Sequence, residues 1–397
     1  MKKITKSLFF VLLVTMILSA GLFVGCRNPF MPEAPVVNPG DQNKPDNKPD
    51  NNPQKPSDSD DDVYIPGDDY VAPDAEVEPT VTEYGFYPAS GVYSAVNPES
   101  WEDAEYKLGA NVNGNDVEFA VYSANADKIL LEIYEKAYGV DASYYYWMEQ
   151  GSDNIWRAKV EGLGAGTLYA FRAWGPNWTY SDDWTRGNSD VGFVADYDTD
   201  GNRFNPNKVL FDPYAKEISH DKSHPTVLGS ENGGMYGTGA ETYSGTLRRN
   251  FDTGKYAPKA VVVDDNTNFG TKPKIPQEKA IIYEAHARGI TKHSSSANLS
   301  TILKDIKGFE SVKNIPVQYQ GTYKGAGMLA PYLKALGVNT IELLPVHESD
   351  NDANPDDAPG GNYWAYMTYG YFAPDRRYSS DKSYGGPTRE FKEMVKL

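Results

Sequence analysis

The sequence predicts a multidomain chain in which an all-β sandwich precedes a parallel β/α unit. Three observations predict it. Across residues 83–265, short stretches such as DVEFAVYSA alternate apolar and polar residues between turn-forming residues. From 275 to 397 the rhythm becomes strand, helix, strand, in AIIYEAHARGIT, LAPYLKALG and VNTIELLPVHES. A helix of that length joins parallel neighbours. Between the two regions, the proline-bearing NFGTKPKIP marks a joint.

The N-terminus comes first. Lys2, Lys3 and Lys6 precede the apolar run LFFVLLVTMILSAGLFV, which ends at Gly25-Cys26. A basic start, an apolar core and a small residue before the break make a secretory signal over 1–26. The run is close to spanning length, so an uncleaved anchor is the alternative. Cys26 is the only cysteine, which excludes an intrachain disulfide. FVGC resembles a bacterial lipobox, with Phe23 in place of the usual Leu. The resemblance implies cleavage before Cys26, lipidation of its thiol and an exported, membrane-anchored lipoprotein. Residues 27–82, with PGDQNKPDNKPDNNPQKPSDSDDD, hold too little apolar area to offset ordering entropy and read as a disordered tether. The formal charge of −17 over 397 residues argues against a nucleic-acid partner, because phosphate selects basic faces.

In the sandwich region, KILLEIYE follows an Asn-Ala-Asp turn, and NIWRAKVEGLGAGTLYAFRAWG supplies two strands around a glycine-rich turn. Tyr144, Tyr145, Tyr146, Trp147, Trp156, Trp174, Trp178 and Trp184 have the flat faces that stack on sugar rings, yet most of them read as sandwich core.

In the β/α unit, Glu284, His286 and Arg288 share one parity of the first strand. They read as a mutually bonded polar set rather than as catalytic groups, because carboxylate, imidazole and guanidinium satisfy one another. The second strand runs into HESDNDANPDDAPGG, where Asp, Glu, Asn and backbone oxygens suit Ca2+, although such a loop is more often merely solvated. The aromatics of NYWAYMTYGYF lie beside it as a possible wall for a sugar. The last residues, GGPTREFKEMVKL, predict a helix with Thr388 as N-cap and Phe391, Met394 and Val395 on its apolar face.

These same residues carry a resemblance. NYWAYMTYGYFAPDRRY and GGPTREFKEMV resemble the second β-α loop of isoamylase-type debranching enzymes in glycoside hydrolase family 13. IIYEAHARGIT resembles that family's first barrel strand, and GTYKGAGMLAPYLKALGVNTIELLPV its first helix and second strand. FRAWGPNW and RFNPNKVLFDPYAKEIS resemble the end of its N-terminal sandwich, of the carbohydrate-binding module 48 type. The resemblance runs over about 106–397, with an insertion at about 294–316. It implies an immunoglobulin-like sandwich followed by the first βα units of a (β/α)8 TIM barrel, and hydrolysis of α-1,6 branch points in glycogen, amylopectin or branched maltodextrin.

Carried over residue by residue, the resemblance implies a structural calcium ion held by Asp221, Glu348, Ser349, Asn351 and Asp375, with Ser349 replacing the family's Thr. It also implies that Tyr366 stacks on a sugar. No catalytic residue is assigned. A retaining glycosidase needs two carboxyls flanking the bond, and the family's lie on later strands, so this chain alone is expected to be inactive, as a truncated or frameshifted product would be. Ala365 and Gly370 depart from the family's Gly and Asn. The alternatives are a surface lipoprotein that only binds α-glucan, a fragment folded no further than its sandwich, or a relative such as pullulanase or a branching enzyme.

Overall fold

Period-two alternation settles the first half of the chain. The computed structural model describes residues 93–397 apart from 103, 105, 106, 188, 221–233 and 351–362, so the signal segment, Cys26, the tether, Asp221 and Asn351 lie outside the described residues. The strands are β1 (Ser94–Ala95), β2 (Gly109–Asn113), β3 (Asp116–Tyr122), β4 (Lys128–Tyr134), β5 (Tyr144–Trp147), β6 (Glu149–Gln150), β7 (Ile155–Glu161) and β8 (Leu168–Trp174). A small hairpin, β9 (Thr242–Tyr243) and β10 (Thr246–Leu247), and then β11 (Ala260–Val261) follow. One sheet runs β1-β7-β3-β2 with β6 also on β7, and the other β11-β8-β4-β5. Pairing within both is antiparallel. Asn113 faces Asp116 across a two-residue turn, where Gly114 takes φ 64°, a conformation that suits hairpin twist and costs other residues energy.

Alternate residues meet between the sheets. Val117, Phe119 and Val121 of β3 lie in one core with Ile129, Leu131 and Ile133 of β4 and with Tyr169 and Phe171 of β8. Each such burial contributes roughly 1.5–3 kcal/mol. The outer face of β4 and β8 is buried as well. Leu130 packs with Trp174 and Trp178, and Glu132 receives Arg172 Nε at 2.8 Å and Arg186 Nε at 2.6 Å. Burial pushes the Glu132 carboxyl up, but the two guanidiniums outweigh it and hold it below its ordinary range. Trp156, Trp174 and Trp178 are core, as the sequence implies, while Tyr145 and Trp147 keep 58% and 38% of their surface exposed.

In the second half, β12 (Ile282–Ala285) and β13 (Thr340–Leu343) pair in parallel, Ile282 beside Thr340 through Ala285 beside Leu343. Between them come α1 (Gly289–Lys292), α2 (Leu299–Ile302), α3 (Tyr323–Met328) and α4 (Ala330–Ala335). Thr322 caps α3 by accepting the Gly325 amide at 3.2 Å. Strands β14 (His347–Ser349) and β15 (Thr368–Pro374) pair antiparallel with bulges on either side of Glu348, and α5 (Gly386–Lys396) closes the chain.

Helix α5 corrects the sequence reading at two places. Its N-cap is Gly385, in the left-handed region, and Thr388 lies inside the first turn. Phe391 and Met394 pack on Ala287, Tyr323 and Tyr378, but Val395 is 57% exposed. Among the described residues no helix is long and apolar enough to cross a membrane.

Candidate functional site

The loop entering β15 displays aromatic surface. Trp364, Tyr366 and Met367 are 55%, 65% and 56% exposed, an unusual outlay of apolar area for one short segment. The wall is held from below by His286. Its ring stacks on Tyr363 with centroids 4.3 Å apart, its Nε2 donates to the Tyr363 carbonyl at 2.7 Å, and Tyr378 Oη lies 3.3 Å from the same nitrogen. Nδ1 accepts the amides of Arg288 and Gly289. Burial lowers the His286 pKa, which fits a neutral ring with one donor and one acceptor. His286 thus takes its partners outside the side-chain trio read from the sequence, and Glu284 is exposed on β12. Ala365, buried at the centre of the wall, adopts φ 58°, a region that L-residues enter at a cost.

Beneath the wall, the bulged pairing of β14 with β15 brings carboxylates together. Glu348, Ser349 and Asp375 are buried to within 2% exposure. Ser349 Oγ donates to Asp375 Oδ2 at 2.8 Å, and the Arg376 amide donates to Glu348 Oε2 at 3.2 Å. Arg377 reaches Asp375 through Nε at 3.0 Å and also contacts Ser349 Oγ. Burial and the neighbouring Asp375 charge push the Glu348 carboxyl well above its ordinary range. Hard oxygen donors under mutual repulsion are the setting a divalent cation relieves, so Glu348, Ser349 and Asp375 fit calcium as donors. Arg377 supplies part of that compensation itself. The described residues alone gather no group of three acids or imidazoles able to hold a metal.

The structure therefore brings Glu348, Ser349 and Asp375 together and leaves Tyr366 open on the wall. The surroundings of Gly370 have closed on the missing side chain, since a Cβ there would come within 2.6 Å of Ile218 Cδ1 and 3.1 Å of Glu348 Cβ. Two buried carboxylates that bind the turn after β15 and helix α5 were missed. Glu217 binds Arg376, Gly385 and Thr388. Glu390 accepts from the Lys324, Ser380 and Asp381 amides and from the hydroxyls of Ser379 and Ser380. Burial pushes Glu390 up, but these donors leave it below its ordinary range. A glutamate on α5, next to the inward-facing Phe391 and two residues after Thr388, was the available signal for Glu390; Glu217 offered none.

An antiparallel sandwich with a following parallel β/α unit defines the class as a β-sandwich module joined to a β/α segment. Residues 107–215 match the carbohydrate-binding module 48 family, described as the isoamylase N-terminal domain. Isoamylase of Pseudomonas amyloderamosa is 41% identical over 321 residues, covering 78% of this chain and 37% of that protein. The glycogen debranching enzyme of Klebsiella pneumoniae is 30% identical over 296 residues, covering 73% and 36%. Apo pullulanase from Paenibacillus barengoltzii aligns with TM-score 0.46 and 18% identity over 75% of this chain and 36% of that one. The chain carries a module 48 domain and corresponds to the N-terminal part of isoamylase-type debranching enzymes of glycoside hydrolase family 13. It spans little more than a third of the length of the curated relatives it matches.

Proposed function

We propose that this chain is the glucan-facing N-terminal part of an isoamylase-type hydrolase of α-1,6 branch points in glycogen and starch. The observation that carries the reading is the 41% identity with an isoamylase over 321 residues. On this reading β12 and β13 are the first strands of a (β/α)8 barrel, and the parallel register between them supports it. Tyr366 offers its ring face to the CH groups of a glucose unit. Asp221, Glu348, Ser349, Asn351 and Asp375 would hold Ca2+, whose charge offsets the repulsion between buried carboxylates. Cys26 would carry the lipid that anchors an exported protein.

Within the described residues, the contribution to that function is binding. Glu348 and Asp375 are buried and bonded internally, whereas Tyr366 is exposed. That contrast favours non-catalytic α-glucan binding as the second reading for the chain taken by itself.

Electrophoresis through gels containing amylopectin tests the reading. The chain should be retarded relative to a gel without glucan, and Tyr366→Ala should lose most of the retardation. Equal mobility in both gels would overturn it. Calorimetric titration with Ca2+ tests the metal separately: heat from the chain and none from Asp375→Ala is expected, and equal heats from both proteins would remove the assignment.

A further inference from the structure

We propose that Glu217, on the segment leaving the sandwich, is a positioning residue for the aromatic wall, acting through Arg376. The inference rests on the reading of that wall as a glucan surface.

Glu217 is fully buried. Its Oε1 accepts from Arg376 Nη2 at 2.8 Å and from the Gly385 amide at 2.9 Å, while Oε2 accepts from Thr388 Oγ1 at 3.1 Å. The Lys216 carbonyl accepts from the same Thr388 hydroxyl. Helix α5 has no side-chain cap from its own N-cap residue, so a carboxylate some 170 positions earlier meets its exposed amides. Anionic groups are favoured there by the orphan N–H groups and the helix dipole.

The Arg376 end leads to the wall. Its guanidinium also donates to the Ile218 carbonyl and to the Lys382 carbonyl. Arg376 opens the single turn Arg376–Tyr378. The last residue of that turn, Tyr378, contacts His286 Nε2, and His286 both stacks on Tyr363 and binds its carbonyl. Every link from Glu217 to Tyr363 is thus a buried or half-buried contact or a shared short turn. Tyr378 stands two residues after Arg376 in that turn, so a shift of Arg376 would carry with it the ring that contacts His286. Buried ion pairs are poor sources of net stability, and the part that falls to this one is fixing geometry.

The test uses the full chain and maltoheptaose as probe, with affinity measured by calorimetry and amide hydrogen exchange followed in the same samples. Glu217→Gln keeps the side-chain shape and removes the charge. It should weaken maltoheptaose binding roughly tenfold, the scale of coupling through a contiguous network, and speed exchange of amides 363–367. Exchange in β3 and β7 should not change. Thr388→Ala, which removes the helix-side hydroxyl shared between Glu217 and the Lys216 carbonyl but leaves the Arg376 pair in place, should leave affinity within about twofold, as expected for a hydrogen-bond loss remote from the wall. Unchanged affinity in Glu217→Gln overturns the assignment. So does an equal loss in Thr388→Ala, which would mean general loosening. If Tyr366→Ala binds as tightly as the natural chain, or the natural chain does not bind, the glucan reading fails and this inference falls with it.

Discussion

In the sandwich, Val117, Phe119, Leu131 and Phe171 are at most 3% exposed, whereas in the β/α segment Ile281, Ile282, Tyr283 and Ile341 stand between 43% and 57% exposed. Two antiparallel sheets close on each other, and a covering segment buries even the outer face of β4 and β8. A two-stranded parallel sheet has little of its own to close on, and parallel sheets are ordinarily covered on both faces. What orders the second region is of a different kind. Glu217, Glu390 and Asp375 are buried carboxylates that pin loops and helix ends through several donors each. One half leans more on buried area and the other, beside its small apolar cluster, on anchored polar contacts.

Phe119→Ala should show the largest effect, a loss of about 3–5 kcal/mol as expected for truncating a buried phenylalanine. Ile282→Ala, on the exposed strand, should change stability by no more than about 0.5 kcal/mol. Chemical denaturation of the two variants beside the natural chain checks both. Similar losses would erase the contrast.

A pH series sharpens the description of the sandwich. Burial lifts the Asp212 carboxyl to about 6, against hydrogen bonds from Tyr169 Oη at 2.7 Å and the Tyr214 amide at 2.8 Å. The folded chain therefore keeps this proton where the unfolded chain has already lost it. The group's contribution is complete below about pH 4 and is lost as pH rises through about 6, a total on the order of 3 kcal/mol. Asp212→Asn should flatten that decline in denaturation midpoints measured between pH 4 and 7. An unchanged slope would place the buried proton elsewhere.

The sequence showed the sandwich because Val117, Phe119 and Val121 keep a strict two-residue period, and it showed α5 because Phe391 and Met394 keep a helical one. It obscured the outer face of β4, where LLEIY is buried throughout and the alternation that separates inside from outside disappears. Glu348 and Ser349 were legible as part of an oxygen-rich loop, Asp375 and the grouping of the three only through resemblance, and the structure does bring them together. Glu217 was not legible at all, since its partners Arg376 and Thr388 stand 159 and 171 positions away and no local period connects them. Thr388 looked like a cap because its residue type suits one; in the fold that place goes to Gly385, whose φ of 84° few other residues adopt cheaply.

A further small effect concerns the wall. Ala365→Gly should stabilise the chain by about 0.5–1 kcal/mol, the relief of a left-handed alanine less the added chain entropy. Thermal midpoints of the two proteins check this, and a lower midpoint for the glycine variant would show that the Ala365 methyl packs better than its backbone is strained.

Native-state hydrogen exchange of the full chain tests the central contrast most directly. Amides of β3, β4, β7 and β8 should exchange last, through global unfolding. Those of β12, β13 and α5 should exchange earlier as a separate cooperative group, and Glu217→Gln should accelerate α5 while leaving the sandwich strands at their original rates. A single opening free energy shared by both regions, lowered everywhere by Glu217→Gln, would contradict the account.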